Sequence, residues 1–191
     1  ATITVTPSYE NNGIICDGNT ETFTIIVNPS SEMDNVDDIV LCNNEISSII
    51  EFTTPNTDGD TTYTWTNDNT SIGLSSSGNG DIPSFTAINL NPITEVATIT
   101  VTPTYENNGV VCIGDPQTFS ISVLSEIGIS GSTVDALDCN DPNSGNINIT
   151  VTGGSGVYDF LWSNGAITED LNNIGPGDYS VTVTDREGCI A

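Results

Sequence analysis

The chain contains a copy of part of itself. Residues 1–27, ATITVTPSYENNGIICDGNTETFTIIV, return at residues 97–123 as ATITVTPTYENNGVVCIGDPQTFSISV, an offset of 96 with 18 of 27 positions identical. Self-similarity at a long fixed period marks a folded unit that recurs along a line, and such chains work through length and surface display more than through one pocket. The second copy closes a unit that starts near Pro29. The first copy has no matching front half before it, so residues 1–28 read as the carboxy-terminal part of a truncated domain. Residues 29–124 read as a complete domain and residues 125–191 as a third domain of different sequence.

Strand patterning runs through the chain. Ala97, Ile99 and Val101 alternate with Thr98, Thr100 and Thr102, and Tyr179, Val181 and Val183 alternate with Ser180, Thr182 and Thr184. A period of two puts one face on a core and leaves a Thr/Ser ladder toward water. Further strands are expected at 38–42, 46–52, 61–66, 84–87, 117–123, 147–152 and 157–162, separated by Asn, Asp, Gly and Pro clusters that supply turns. No stretch holds a helical period. The expectation is an all-β chain of tandem immunoglobulin-like β-sandwich domains.

Charge excludes several classes of partner. With 26 Asp and Glu against one Lys or Arg, the net charge is −25 and Arg186 is the only strong cation. Nucleic acid and anionic membrane surfaces both require clustered cations to meet phosphate, so neither is expected as a partner. Membrane insertion by this segment is not expected either, because no apolar run approaches the roughly 20 residues that span a bilayer. The acidity reads as solubility and mutual repulsion, which also discourages edge-to-edge pairing of exposed strands.

Cys42 precedes Trp65 by 23 residues and Cys139 precedes Trp162 by 23. In an immunoglobulin-like sandwich this spacing places the indole in the core beside an inter-strand bridge. The expected disulfides are Cys42 with Cys112 and Cys139 with Cys189, which imply an oxidising, extracellular setting. Cys16 is the repeat equivalent of Cys112, so it is expected to be unpaired by truncation. The rival readings are a metal site, a reactive thiol or an intermolecular bridge. Zinc is poorly served, since there is no His and no CxxC pair.

The middle unit, with TTYTWTNDNTSIGL, GDIPSFTAINLNP and ATITVTPTYENNGVVCIGDPQTFSISV, resembles the PKD-like repeats of very large cell-surface proteins of Bacteroidetes. The third, with GGSGVYDFLWSNGAITEDLNNIGPGDYSVTVTDREGC, resembles a SprB repeat, named after a gliding-motility adhesin. These resemblances imply an immunoglobulin-like fold, export by type IX secretion and a spacer or adhesive role at the cell surface. They imply too that residues 125–191 lack the strand that normally follows the Gly-Cys pair. Such an edge is completed by the same polypeptide or by a neighbouring subunit, and the same polypeptide is the reading taken here.

Catalytic chemistry is scarce. Without His, neither a Ser-His-Asp nor a Cys-His arrangement can be built, and Gly-rich loops have no Lys for phosphate. The chain is therefore not read as an enzyme, and no cofactor is expected beyond a possible calcium ion. Asp58, Asp60 and Asp68 offer hard oxygen ligands for calcium, although Asp-Gly-Asp is also an ordinary hairpin turn. Thr61, in Asp60-Thr61-Thr62, matches a bacterial O-glycosylation pattern, against the plainer reading of an unmodified strand residue. The function expected is a non-catalytic structural or adhesive repeat segment of a long secreted adhesin or filament. Its partners would be neighbouring repeats of the same chain and, beyond them, surface polysaccharide or other cells. The alternative is a linker or carbohydrate-binding module of a secreted polysaccharide-degrading enzyme, for which exposed aromatics would be the sign; aromatics are only 6% of the chain.

Overall fold

The computed structural model describes residues 1–134 and 143–191. The described residues are almost entirely strand, turn and extended chain, with one three-residue 3₁₀ turn at Thr70–Ile72. The all-β expectation therefore holds, and the strands collect into sandwich cores.

The amino-terminal segment forms two short ribbons. Strand β1 (Thr2–Val5) pairs antiparallel with β4 (Glu21–Thr24), and β2 (Ser8–Asn11) pairs with β3 (Ile14–Asp17). The β2–β3 turn is Asn12-Gly13, with φ of 52° and 76°. Two consecutive positive φ values are what a two-residue turn matched to strand twist requires, and Asn-Gly supplies them at least steric cost.

The middle unit is built on one long strand. Strands β5 (Ile39–Leu41), β6 (Asp60–Asn67), β7 (Ser77–Asn79), β8 (Glu95–Asn107), β9 (Val110–Ile113) and β10 (Gln117–Val123) form a sheet in the order β5-β10-β8-β6-β7, with β9 also on β8. β8 is 13 residues long. One of its edges carries β6; the other carries β10 along its first half and β9 along its second. The change of partner falls at Pro103, where a residue with no N–H costs no ladder bond. Ala97, Ile99, Val101 and Tyr105 on β8, with Phe119, Ile121 and Val123 on β10, turn inward, and none is more than 5% exposed. The alternating Thr and Ser residues face out, as period two demands.

The second layer is irregular. Residues 46–52 and 84–87, expected as strands, meet through the isolated bridge Ile46↔Thr86, and Ile50 bridges Ile82 just before the second segment. Further backbone bonds, Ser47 N to Phe85 O and Ala87 N to Glu45 O, hold the two segments antiparallel. Buried asparagines brace the loops where regular pairing stops. Asn89 donates to Ile93 O and Val123 O, and Asn67 donates to Leu74 O and Ser75 O. Trp65 lies in this core at 4% exposure, with Gly78 directly across the β6–β7 pair. A Cβ on Gly78 would stand 2.3 Å from the indole, so the glycine is the space into which the ring fits.

The third unit has two small sheets. Strands β11 (Gly128–Val134), β12 (Gly145–Thr152) and β14 (Leu171–Ile174) form one, and β13 (Tyr158–Trp162) and β15 (Val181–Asp185) form the other. Trp162 is also 4% exposed, and its Nε1 donates to Thr168 O at 2.7 Å. Residues 189–191 return along the outer edge of β15, with Ile190 bridged to Thr184 and reciprocal bonds between Val183 and Ala191. Strands β7, β9, β11 and β14 of these two units lie outside the expected segments; β7, β11 and β14 contain Gly or Asn and show no apolar alternation.

Two carboxylates, exposed Asp38 and half-buried Glu95, hold loops to the middle sheet. Asp38 accepts from Ser120 N at 2.7 Å where β5 joins β10, and this bond lowers the Asp38 pKa below the usual carboxylate value. Glu95 accepts from Asn69, Asn91 and Ser71 side chains, and the first two lower its pKa as well. A carboxylate whose pKa is depressed by folding contributes stability above its unfolded pKa of about 4, and that contribution is lost as pH falls through the lower folded value. The difference in Tm between the parent chain and the Asp38→Asn/Glu95→Gln variant should accordingly shrink as pH is taken from 7 toward 3; a difference that grows on acidification would contradict this. Separately, Trp65→Ala and Trp162→Ala should each destabilise their own core by about 3–5 kcal/mol. Differential scanning calorimetry should show one transition shifted and the other nearly unmoved.

Candidate functional site

Two features stand out among the described residues, a covalent junction and an uncovered sheet face. The junction forms between the middle and third units. Cys42 directly follows β5, and Leu41 O accepts from Leu124 N at 2.9 Å, so this end of the middle unit is where the chain leaves for the third. There Leu124, Ile127, Val183 and Cys189 form the second buried core, with Cys42 packed against it. Cys42 and Cys189 are bonded, with Cα atoms 5.5 Å apart.

This pairing corrects both expected disulfides. The register explains why Cys42 cannot reach Cys112. Leu41 stands beside Val123, which stands beside Glu95, whereas Cys112 stands beside Tyr105. Glu95 and Tyr105 are ten residues apart on one strand, which at about 3.3 Å per residue is roughly 33 Å, far beyond disulfide reach. Cys112 is a free thiol, so the bridge from Cys42 to Cys112 does not form. The bridge from Cys139 to Cys189 is likewise displaced, since Cys189 is taken by Cys42; Cys139 itself lies outside the described residues. Cys16 is free and exposed, opposite Tyr9 as Cys112 is opposite Tyr105.

A buried carboxylate shapes the loop that carries Cys189. Asp185 is 3% exposed and accepts from the backbone N–H groups of Ser155, Glu187 and Cys189 at 2.8–3.0 Å. Arg186 N adds a bond to Ser155 Oγ at 3.1 Å. These bonds turn the chain after β15 and deliver Cys189 to the junction. No signal in the cysteine spacing pointed to this; four or more cysteines permit several pairings, and only the strand register decides among them.

The uncovered face belongs to residues 1–27. The register of the two copies is the same, Ile3↔Phe23 matching Ile99↔Phe119 and Tyr9↔Cys16 matching Tyr105↔Cys112. Even the bond from Gly18 N to Pro7 O recurs as Gly114 N to Pro103 O. What differs is cover. Val5, Tyr9, Phe23 and Ile25 are 46–67% exposed, while their counterparts Val101, Tyr105, Phe119 and Ile121 are at most 5% exposed.

The remaining sequence candidates are not assembled. Asp58 and Asp60 flank a turn before β6, and Asp68 follows its far end; eight residues of strand hold Asp60 and Asp68 roughly 26 Å apart. Asp68 is instead engaged locally, accepting from Thr98 N at 2.6 Å. The three expected calcium ligands therefore cannot meet on one ion, and among the described residues no group of three or more potential ligands forms. Thr61 faces inward on β6, and its hydroxyl is buried without a partner. A glycosyltransferase has no access to it in the folded unit. Among the described residues, no helix is long and apolar enough to cross a membrane.

The SprB repeat family matches residues 131–167, within the third unit. SprB repeats are structural repeats found in cell-surface proteins. No curated protein matches the chain. The region is thus similar to a non-catalytic surface repeat, and a disulfide at the junction accords with an extracellular location.

The bridge closes a loop across 147 positions, for which the chain-entropy model gives about 5 kcal/mol of stabilisation. Peptide mapping without reduction should recover Cys42 linked to Cys189, with Cys16 and Cys112 open to alkylation. Recovery of a Cys42–Cys112 peptide would overturn the junction. Asp185→Ala, which strands three backbone donors, should lower the stability of the third unit by at least about 2 kcal/mol in thermal unfolding.

Proposed function

We propose that this chain is a stretch of a long secreted cell-surface protein in which sandwich units serve as non-catalytic spacer and adhesive repeats. In this reading residues 1–28 are the carboxy-terminal part of a PKD-like domain, residues 29–124 a complete PKD-like domain and residues 125–191 a SprB-type repeat domain. The neighbours of each unit are further units of the same polypeptide, and the parent is an adhesin or filament of the gliding-motility type, exported by type IX secretion.

The observation that carries the reading is the identity of register between residues 1–27 and 97–123. Two segments that fold alike, one with its apolar face covered and one with it open, behave as one element of a recurring domain. Residues 29–96 provide that cover for the second copy, through β6 and the 44–52 and 82–87 layer. A segment of the same pattern is what the first copy takes. The similarity of residues 131–167 to SprB repeats supports a surface location. Both tryptophans are buried, so neither indole serves as the stacking platform that a carbohydrate-binding module would present.

Antibodies raised against the folded chain should label intact, unpermeabilised cells that express the parent protein. Brief protease treatment of those cells should release peptides from it. Labelling that appears only after permeabilisation would sink the surface assignment.

A further inference from the structure

We propose that the Cys42–Cys189 bond is a load bypass: tension along the chain crosses from residue 42 to residue 189 through sulfur, and every strand of both sandwich cores except β5 lies outside the covalent force path. The argument is one of connectivity. Tension applied to the ends of a chain is borne by the covalent route between them, and a loop closed by a cross-link carries none of it. The bond spans a sequence separation of 147, so the 146 residues from 43 to 188 form such a loop. That loop contains β6 to β15, hence every strand of both cores except β5. Only residues 1–42 and 189–191 remain in series.

The fold places the entry and exit of the load side by side. Leu41 O is bonded to Leu124 N, and Cys42 and Cys189 pack together in the second core. The last structure in series before the bridge is β5, three residues paired parallel to β10. Asp38, through its bond to Ser120 N, fastens the start of β5 to the same strand. When the chain is pulled, the amino-terminal ribbons and then β5 peel away, and extension stops at the sulfurs. Without the bond, the load would pass through the β10 end into the third unit and unfold both cores in turn.

Reduction removes the stop. A dithiol such as dithiothreitol attacks one sulfur as its thiolate and forms a mixed disulfide; its second thiol then displaces the protein sulfur. The dithiol supplies two electrons and two protons and leaves as a cyclic disulfide, and Cys42 and Cys189 become thiols.

The test is single-molecule pulling of the full chain by its two ends, before and after dithiothreitol. At no more than about 3.6 Å per residue, the 45 residues in series allow about 160 Å of contour in the oxidised chain. After reduction the accessible contour should rise by about 530 Å, the length of the 146 released residues. The Cys42→Ser/Cys189→Ser variant should extend to the reduced length without reductant. Because the parent chain folds before it is reduced on the instrument, the contrast stands even where that variant folds poorly. Unfolding of both cores in the oxidised chain would overturn the bypass. So would a gain on reduction of about 250 Å, the length between Cys42 and Cys112. The outcome is independent of the surface role: a protein found inside cells could still show the bypass, and a surface protein whose units unfold in series would lose the bypass alone.

Discussion

Strand β8 is paired on both edges, and the other elements of the middle unit take their positions from it. Thirteen residues of extended chain bury five alternate positions, Ala97, Ile99, Val101, Pro103 and Tyr105. β6 lies along one edge, and the other is divided between β10 and β9 at Pro103. Because the strand is stiff and long, it fixes which residues stand at which pole of the unit. Cys42 is set beside the Glu95 end and Cys112 beside Tyr105, so they belong to different poles and different neighbours.

The two copies of the repeated segment separate local from tertiary causes. Both form the Asn-Gly turn, the same cross-strand pairs and the same glycine-to-proline backbone bond. One does so with its apolar face buried and the other with that face open. Turn chemistry and strand propensity thus define the ribbon, while the core decides only whether its apolar side is hidden. The apolar face of residues 1–27 stands exposed, whereas the layer supplied by residues 29–96 covers that of its twin.

At the junction, three interactions of different kind converge on a few residues. The Leu41–Leu124 backbone bond continues the sheet to the point where the chain crosses over, the small core around Ile127 and Val183 excludes water, and Asp185 organises the loop that presents Cys189. The disulfide then makes the contact permanent in an oxidising medium. A pair of sandwiches joined by one covalent strand would swing freely by default; here a second covalent connection joins them.

The sequence by itself determined the repeat, the all-β class, the inward faces of β8 and β10 and the burial of Trp65 and Trp162, because alternation and turn residues act over a few neighbours at a time. It could not determine which cysteines meet, since equal Cys-to-Trp spacing constrains distance along the chain and says nothing of which pole of a sandwich each thiol reaches. The strand expected at 61–66 already separates Asp60 from Asp68, and period two already sets Thr61 on the face of Trp65. The irregular pairing of residues 44–52 with 82–87 was hidden as the cysteine pairing was, because its bonds join segments more than thirty residues apart and follow no periodic signal. Those outcomes were decided by register between strands distant in sequence, a property that exists only once the sheet has closed.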